Sequence, residues 1–190
     1  IKHPNLYFRS IYNSYSSPYS SSFLLENKKV AIPDHLSIEI ESPTTFESLP
    51  LILSHSKSLI YTLREPFKYC KKLNCKVFIV GGTTNWYHFI FETLPKLYLV
   101  DKFYGSQNQN ILLTHECLAY KNFEVGVKLF SKSHNIITSV PGEILYIEEA
   151  ITIDDFNCAP KHVGSSHKLG PSDWSINSSM LLEFARIFRS

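Results

Sequence analysis

Residues 75–80 (CKVFIV), the pair Gly81-Gly82 and residues 86–103 (WYHFIFETLPKLYLVDKF) decide the fold. The first run is short and apolar and ends at two glycines, which is typical of a buried strand. The second run places apolar residues at helical spacing, so it predicts a helix that begins a few residues after the strand. Pro95 lies inside that helix and is expected to kink it or to start a new turn there.

The same alternation continues along the chain. Residues 110–114 (NILLT) and 135–138 (NIIT) are short apolar runs, and residues 123–130 (FEVGVKLF) between them have helical periodicity. Residues 144–147 and 150–153 follow as two further short β segments. Strands that alternate with helices form βαβ units, so we expect an α/β domain with a parallel sheet. The three strands at residues 75–80, 110–114 and 135–138 should be parallel neighbours in this sheet.

The first part of the chain has a different character. Residues 1–22 include NSYSSPYSSS, a serine-rich stretch without periodicity that predicts an irregular lead-in. Residues 36–41 (LSIEIE) alternate apolar and acidic side chains, which is typical of a half-exposed strand. We therefore divide the chain into an irregular, β-rich lead-in region at 1–74 and an α/β half-domain at 75–190, which closes with a helical run at 180–189.

Composition and charge exclude several classes of protein. The 190 residues carry 19 Lys and Arg against 17 Asp and Glu, and this net charge of +2 is too small for a protein that grips nucleic acid mainly through phosphates. The apolar runs are far shorter than the roughly 18 residues of a membrane-spanning helix, so the sequence predicts no transmembrane segment. The 4 cysteines lack the spacing of a zinc site and are expected to be free thiols.

Three polar residues share one face at the start of the first predicted helix. Asn85, His88 and Glu92 are spaced three and four apart, which aligns an amide, an imidazole and a carboxylate. In an open parallel sheet, ligands bind outside the carboxyl ends of the strands, where this first turn lies. A glycine turn before a helix also presents backbone N–H groups to an anion, so Gly81 and Gly82 are candidate binding residues. A surface His–Glu pair and a simple tight turn are the alternative readings of the same spacing.

Residues 85–89 (NWYHF) and 92–97 (ETLPKL) form a distinctive motif after the strand and the glycine pair. This motif resembles the signature of glycosyltransferase family 61, which has an Asn–aromatic–His run, then Glu, then Leu-Pro-Arg-Leu in the same setting. Lys96 stands where that family usually has Arg. The order of the strands and helix that follow also fits, so the resemblance covers residues 77–153.

The resemblance implies a GT-B type architecture, in which two Rossmann-like halves enclose the active site. It implies inverting transfer of a sugar from a nucleotide-sugar donor to a hydroxyl of a glycan or protein acceptor, as in polysaccharide biosynthesis, without a metal or another cofactor. The donor-binding motifs of the second half do not occur in this sequence. We therefore expect the chain to be the N-terminal, acceptor-side half of such an enzyme, a fragment that is inactive alone. Relatives would act in the cytoplasm of bacteria or in the Golgi or ER lumen of eukaryotes.

The resemblance and the chemistry of the transfer suggest roles for the motif residues. His88 is the candidate general base for the acceptor hydroxyl, and Glu92 would orient it. The remaining residues are candidates for binding or positioning the acceptor: Asn85, Trp86, Tyr87, Gly81 and Gly82. Two other functions stay open, a non-catalytic α/β binding domain and a hydrolase that uses His88 with a carboxylate. The sequence has no Gly-x-Ser-x-Gly motif, which counts against the hydrolase.

Overall fold

The computed structural model describes residues 7–20, 22–31, 52–55, 61–63, 70–154, 157–158, 175–176 and 178–187. In this part of the chain, seven strands form one mixed sheet: β1 Phe8–Ser16, β2 Phe23–Leu25, β3 Val30–Ala31, β6 Lys71–Gly81, β7 Asn110–Thr114, β8 Asn135–Ser139 and β9 Leu145–Ile153. Their order across the sheet is β3-β2-β1-β9-β6-β7-β8. Two separate two-stranded pairs join β4 Ile52–His55 to β5 Tyr61–Leu63 and β10 Asn157–Cys158 to β11 Ser175–Ile176.

The strands β9, β6, β7 and β8 run parallel and form the half of the sheet that carries the motif. Phe78 of β6 lies opposite Ile111 of β7, which in turn lies opposite Ile136 of β8. Both faces of β6 and β7 are buried, since Phe78 and Ile111 belong to one apolar cluster and Val77 and Leu112 to the other. A strand buried on both faces has a continuous apolar sequence. The expected α/β class and the three neighbouring parallel strands are therefore confirmed.

The described helices cover one face of this sheet. They are α1 Trp86–His88, a π-helical turn Phe89–Thr93, α2 Leu94–Tyr104, α3 Glu116–Ala119, α4 Lys121–Phe130 and α5 Ser178–Ile187. Leu97, Phe130 and Phe184 bring α2, α4 and α5 into the same core cluster. The helices expected at 123–130 and 180–189 are thus confirmed, with small shifts of their ends. None of the described helices is long and apolar enough to cross a membrane.

The start of the chain differs from the irregular lead-in expected at residues 1–22. Phe8–Ser16 is strand β1, which pairs antiparallel with β9 and so lies in the same sheet as the motif. Ser14 and Ser16 are fully buried in it. Their small side chains fit between the layers, and the Ser16 hydroxyl donates to the Ser22 carbonyl at 3.2 Å. The strand expected at 36–41 lies outside the described residues.

Strand β9 is longer than the sequence predicts. The segments expected at 144–147 and 150–153 are one continuous strand, Leu145–Ile153. Its carboxyl end is clamped to β1, because Arg9 donates from Nε to Asp154 Oδ1 at 2.8 Å and from Nη2 to Oδ2 at 3.1 Å. These two residues are 145 positions apart in the chain. The pairing of β1 with β9 therefore closes a very long loop.

A strong bend distinguishes this sheet from a flat parallel one. β8 ends at Ser139 and β9 begins at Leu145, so residues 140–144 alone connect two parallel strands. In a flat sheet the two ends would lie roughly 30 Å apart, whereas a link of this length reaches at most about 22 Å. The sheet must therefore curl, and the register between β6 and β9 shifts between Leu73 and Lys76. This curl brings the loop after β1 to the carboxyl ends of β6, β7 and β8.

Candidate active site

The helix that carries the motif begins at a side-chain cap. Asn85 has extended backbone angles, and its Oδ1 accepts hydrogen bonds from the Tyr87 and His88 amides at 2.9 and 3.4 Å. The Thr83 hydroxyl accepts a hydrogen bond from the Asn85 amide at 3.0 Å and so fixes the backbone just before the helix. These bonds satisfy donors that the first turn of a helix leaves without partners. The structure thus makes Asn85 the cap, and it is a positioning residue for the turn that contains His88.

His88 and Glu92 form the hydrogen-bonded pair that their spacing predicts. His88 Nδ1 lies 2.8 Å from Glu92 Oε1, and the two side chains are 33% and 19% exposed. A carboxylate only accepts hydrogen bonds, so Nδ1 carries the proton that it donates. In the neutral imidazole Nε2 then keeps a lone pair. The pair therefore presents an oriented imidazole base at a partly exposed position.

The backbone between these two residues is a π-helical turn. Phe89–Thr93 has this conformation, and the Leu94 amide bonds to the Phe89 carbonyl, five residues earlier. Pro95 follows in the first turn of α2. Proline has no N–H and its ring clashes with the carbonyl four residues before it, which the wider turn relieves. A new helical segment thus starts at Leu94, as predicted, and the widened turn lies at the His88–Glu92 pair.

The glycine pair makes a turn in which no larger residue fits at position 82. Gly81 and Gly82 have φ of +79° and +149°. A Cβ on Gly82 would lie 2.3 Å from Cys117 Sγ and 2.5 Å from Thr114 Oγ1. The turn therefore packs directly against the carboxyl end of β7 and the start of α3. Its proposed role in binding an anion stays a prediction.

The two aromatic motif residues are largely outside the core. Trp86 is 54% exposed and Tyr87 is 42% exposed. The Tyr87 ring contacts Phe91, with ring centroids 4.7 Å apart. The Trp86 ring stacks over Phe123 at 5.3 Å. Both rings therefore offer a face or an edge to solvent, and the Tyr87 ring lies beside that of His88, with ring centroids 5.5 Å apart.

A second polar cluster at the same edge of the sheet was not predicted. The Tyr19 hydroxyl, on the loop after β1, donates to Glu116 Oε2 at 2.6 Å. It also lies 3.1 Å from His115 Nδ1 and 3.2 Å from the Ser139 carbonyl. Burial and the bond to Glu116 raise the pKa of Tyr19. Burial would raise the pKa of Glu116, but hydrogen bonds, first that from Tyr19, lower it, so the cluster is a phenol bonded to a carboxylate.

This Tyr19 cluster joins the lead-in region to the site-bearing half of the sheet. His115 and Glu116 follow β7 directly. Their position after a predicted parallel strand could have identified them as candidate site residues. Tyr19 gave no such signal, because it lies in a serine-rich run and meets its partners only through the curl of the sheet. The cluster holds the loop after β1 against the ends of β7 and β8.

No group of three or more His, Cys, Asp or Glu side chains in the described part of the chain is arranged to hold a metal ion. No family model, no curated protein and no solved structure matches the chain. A function must therefore be argued from the geometry of the His88–Glu92 pair and from the motif around it.

Replacing Asn85 with alanine should lower the free energy of unfolding by about 1 kcal/mol, because two amides of the first turn lose their acceptor. Urea denaturation followed by circular dichroism measures this loss. Asn122→Ala is the matched control, since Asn122 is exposed in the first turn of α4 and caps nothing; its effect should stay within about 0.5 kcal/mol. Equal losses in the two variants would contradict the capping role.

Proposed function

We propose that the chain is the acceptor-side part of an inverting glycosyltransferase. In this proposal it positions a hydroxyl of an acceptor for attack on a nucleotide-sugar donor held by a second, donor-binding half. The observation that carries the proposal is the hydrogen bond of 2.8 Å between His88 Nδ1 and Glu92 Oε1. It is supported by the location of this pair just beyond the carboxyl end of β6, and by the resemblance of residues 85–97 to family 61.

The chemistry needs one proton acceptor. The acceptor oxygen forms a bond to the anomeric carbon while the bond from that carbon to the leaving nucleoside diphosphate breaks. His88 Nε2 takes the proton of the attacking hydroxyl, and Glu92 stabilises the imidazolium that results. A single displacement of this kind inverts the anomeric configuration. A carboxylate that fixes the tautomer and the ring orientation keeps Nε2 free for the substrate.

The parallel half of the sheet supports the proposal. Strands β6, β7 and β8 with the helices between them are consistent with a Rossmann-like half of a GT-B enzyme, with the pair at the ligand-binding edge. The connection from β8 to β9 departs from a Rossmann repeat, because residues 140–144 contain no crossover helix. The π-helical turn adds support, since such turns are frequent at functional sites.

An assay of the protein expressed from its complete reading frame tests the proposal. A panel of nucleotide sugars is offered with glycan and protein acceptors, and the product anomer is read by NMR. We expect transfer from one donor with inversion at the anomeric carbon. Absence of transfer across the panel, or a product with retained configuration, would overturn the proposal.

The 190-residue chain alone is expected to give no turnover, because the donor-binding motifs are absent from its sequence and an unaligned donor provides no chemistry. Release of nucleoside diphosphate, measured with the purified chain and the same donor panel, checks this. Adding the complete protein to the same mixture is the positive control. Transfer by the chain alone would show that the acceptor-side assignment is wrong.

A further inference from the structure

The two edge strands of the seven-stranded sheet differ in how far they are protected from pairing with another chain. At one edge, β3 consists of Val30 and Ala31 alone and follows the pair Lys28-Lys29. At the other edge, β8 has five residues, contains neither a charged residue nor a proline, and pairs with β7 without a bulge. Very short strands and lysines block the addition of another strand, whereas a regular, uncharged edge is open to it. Another strand can therefore add at β8.

The outer side of β8 has backbone groups without partners in the described part of the chain. The Asn135 amide and the Ser139 carbonyl bond to backbone groups that flank β7, so both residues turn their groups towards β7. Successive residues of a strand turn their backbone groups to opposite sides. Ile136 and Thr138 therefore each direct an N–H and a C=O away from β7. β8 is the last strand in the order of this sheet, so these groups lie along its edge.

We propose that β8 pairs with β8 of a second copy of this chain, antiparallel and about a twofold axis beside Ile137. In this register Ile136 lies opposite the partner's Thr138, and an antiparallel pair of this kind exchanges two hydrogen bonds. The twofold axis repeats the pair, so all the outward N–H and C=O groups of Ile136 and Thr138 gain partners. This inference concerns an interaction surface and does not depend on the proposed transferase function.

Helix α4, which precedes β8, has a pair of opposite charges on the side nearest this edge. A Cβ on Gly126 would lie 3.0 Å from Leu94 Cδ1, so this side of α4 faces α2. Glu124 and Lys128 lie two residues before and after Gly126, and hence about 160° around the helix from it. Because α2 connects β6 to β7 and α4 connects β7 to β8, this opposite side faces the β8 edge. Lys128 Nζ lies 2.6 Å from Glu124 Oε1, and the two side chains are 70% and 37% exposed.

The twofold axis makes these charges complementary between copies. α4 and β8 each cross the sheet once, so the middle of α4 lies about level with the middle of β8 and with the axis. The axis sets α4 antiparallel to its copy, which places Glu124 opposite the partner's Lys128. With strands about 4.8 Å apart and each α4 above the groove between β7 and β8, the two helices lie about 10 Å apart, a normal packing distance. A second copy supplies this charge pattern by symmetry, which favours it over an unrelated strand.

The dimer leaves both candidate active sites accessible. Each His88–Glu92 pair lies beyond the carboxyl end of β6, two strands away from the β8 edge. The twofold axis reverses the strand direction, so the carboxyl edges of the two copies face opposite ways. A donor-binding half and an acceptor can therefore reach each site without disturbing the pairing of the β8 strands.

Sedimentation equilibrium of the 190-residue chain measures the association. One short strand and one helix make a small interface, so we expect a micromolar Kd and use concentrations of about 1–100 μM. Glu124→Lys sets lysine against lysine at both symmetric positions and should weaken the dimer by about tenfold or more. The double variant Glu124→Lys with Lys128→Glu restores opposite charges and should restore the dimer. Glu148→Lys is the matched control, because it makes the same charge change at an exposed position of β9 and should leave the Kd unchanged.

Thr138→Pro tests the backbone pairing. Proline removes the outward N–H of Thr138 and no bond to β7, a position where an edge strand accepts it. This variant should be monomeric over the same concentrations, while Thr138→Val, which keeps the N–H, should dimerise as the unaltered chain does. Circular dichroism confirms that each variant is folded.

A dimer that Glu124→Lys and Thr138→Pro dissociate, and that the double charge exchange restores, would support the proposal. A chain that stays monomeric at about 100 μM would overturn it, because a micromolar dimer is mostly formed at that concentration. A dimer that these variants leave intact would show that another surface associates. Open-ended assemblies larger than a dimer would also overturn it, since pairing about a twofold axis closes at two copies.

Discussion

Turnover of the complete protein is expected to fall by about 10²–10⁴-fold when His88 is replaced with alanine, the range for a positioned acid–base group. The fold should remain intact, because His88 is 33% exposed and its described side-chain hydrogen bond is to a residue one turn away on the same helix. The kcat should fall more than KM rises, since the base acts on the proton in the transition state. Steady-state kinetics and the melting temperature of the variant measure the two effects.

His115→Ala is the matched control for this experiment. His115 also has a ring nitrogen 3.3 Å from a carboxylate at the carboxyl edge of the sheet, but that carboxylate is bonded to Tyr19. We expect kcat to stay within about threefold in this variant. If His88 is structural, its replacement should cost about 1–3 kcal/mol of stability and lower activity only through unfolding. Lost stability with near-normal specific activity of the folded fraction would end the catalytic assignment.

Replacing Gly82 with alanine should lower the free energy of unfolding by about 3 kcal/mol or more. The new Cβ would meet Thr114 Oγ1 and Cys117 Sγ, both buried, while the backbone stays at a φ of +149°. Strain at such a φ costs about 1–3 kcal/mol, and overpacking adds a similar amount. In a domain of this size, 3 kcal/mol corresponds to a fall in melting temperature of roughly 6–12 °C. Thermal unfolding followed by circular dichroism gives the value.

Gly142 supplies the control that separates strain from crowding. It has a φ of +83°, and a Cβ built there meets nothing within 4 Å. Gly142→Ala should therefore cost only the backbone strain, about 1 kcal/mol. Similar losses in the two variants would show that the contact of Gly82 with the end of β7 does not matter for stability. Such a result would also mean that tight packing of the Gly82 turn does not support the site.

The sequence could predict the parallel core because burial on both faces leaves a direct trace in it. Runs such as NILLT at 110–114 have no polar face, and they are strands in the structure as expected. It could not predict β1, because Ser14 and Ser16 are buried by pairing with a strand more than a hundred residues later. Nor could it join the two halves of β9. An exposed Glu148 lies between their apolar positions and looks like a break.

The part of the site that lies within a single helix could be predicted from the sequence. The pair of His88 with Glu92 depends on spacing within one helix, which periodicity shows directly. The contacts of Tyr19 with Glu116 depend on the curl of the sheet, and no local pattern encodes it.

The pairing of β1 with β9 sets the order in which the chain can fold. A ribosome adding about 5–20 residues per second leaves β1 without its partner for on the order of ten seconds. During that time the chain can complete β6, β7 and β8, whose contacts are closer in sequence and form faster. The Arg9–Asp154 clamp is therefore a late event, which seals a parallel core that already carries the His88 turn. A nascent chain stalled before residue 145 would expose the β1 edge for the whole of the pause, and there it is open to pairing with other chains.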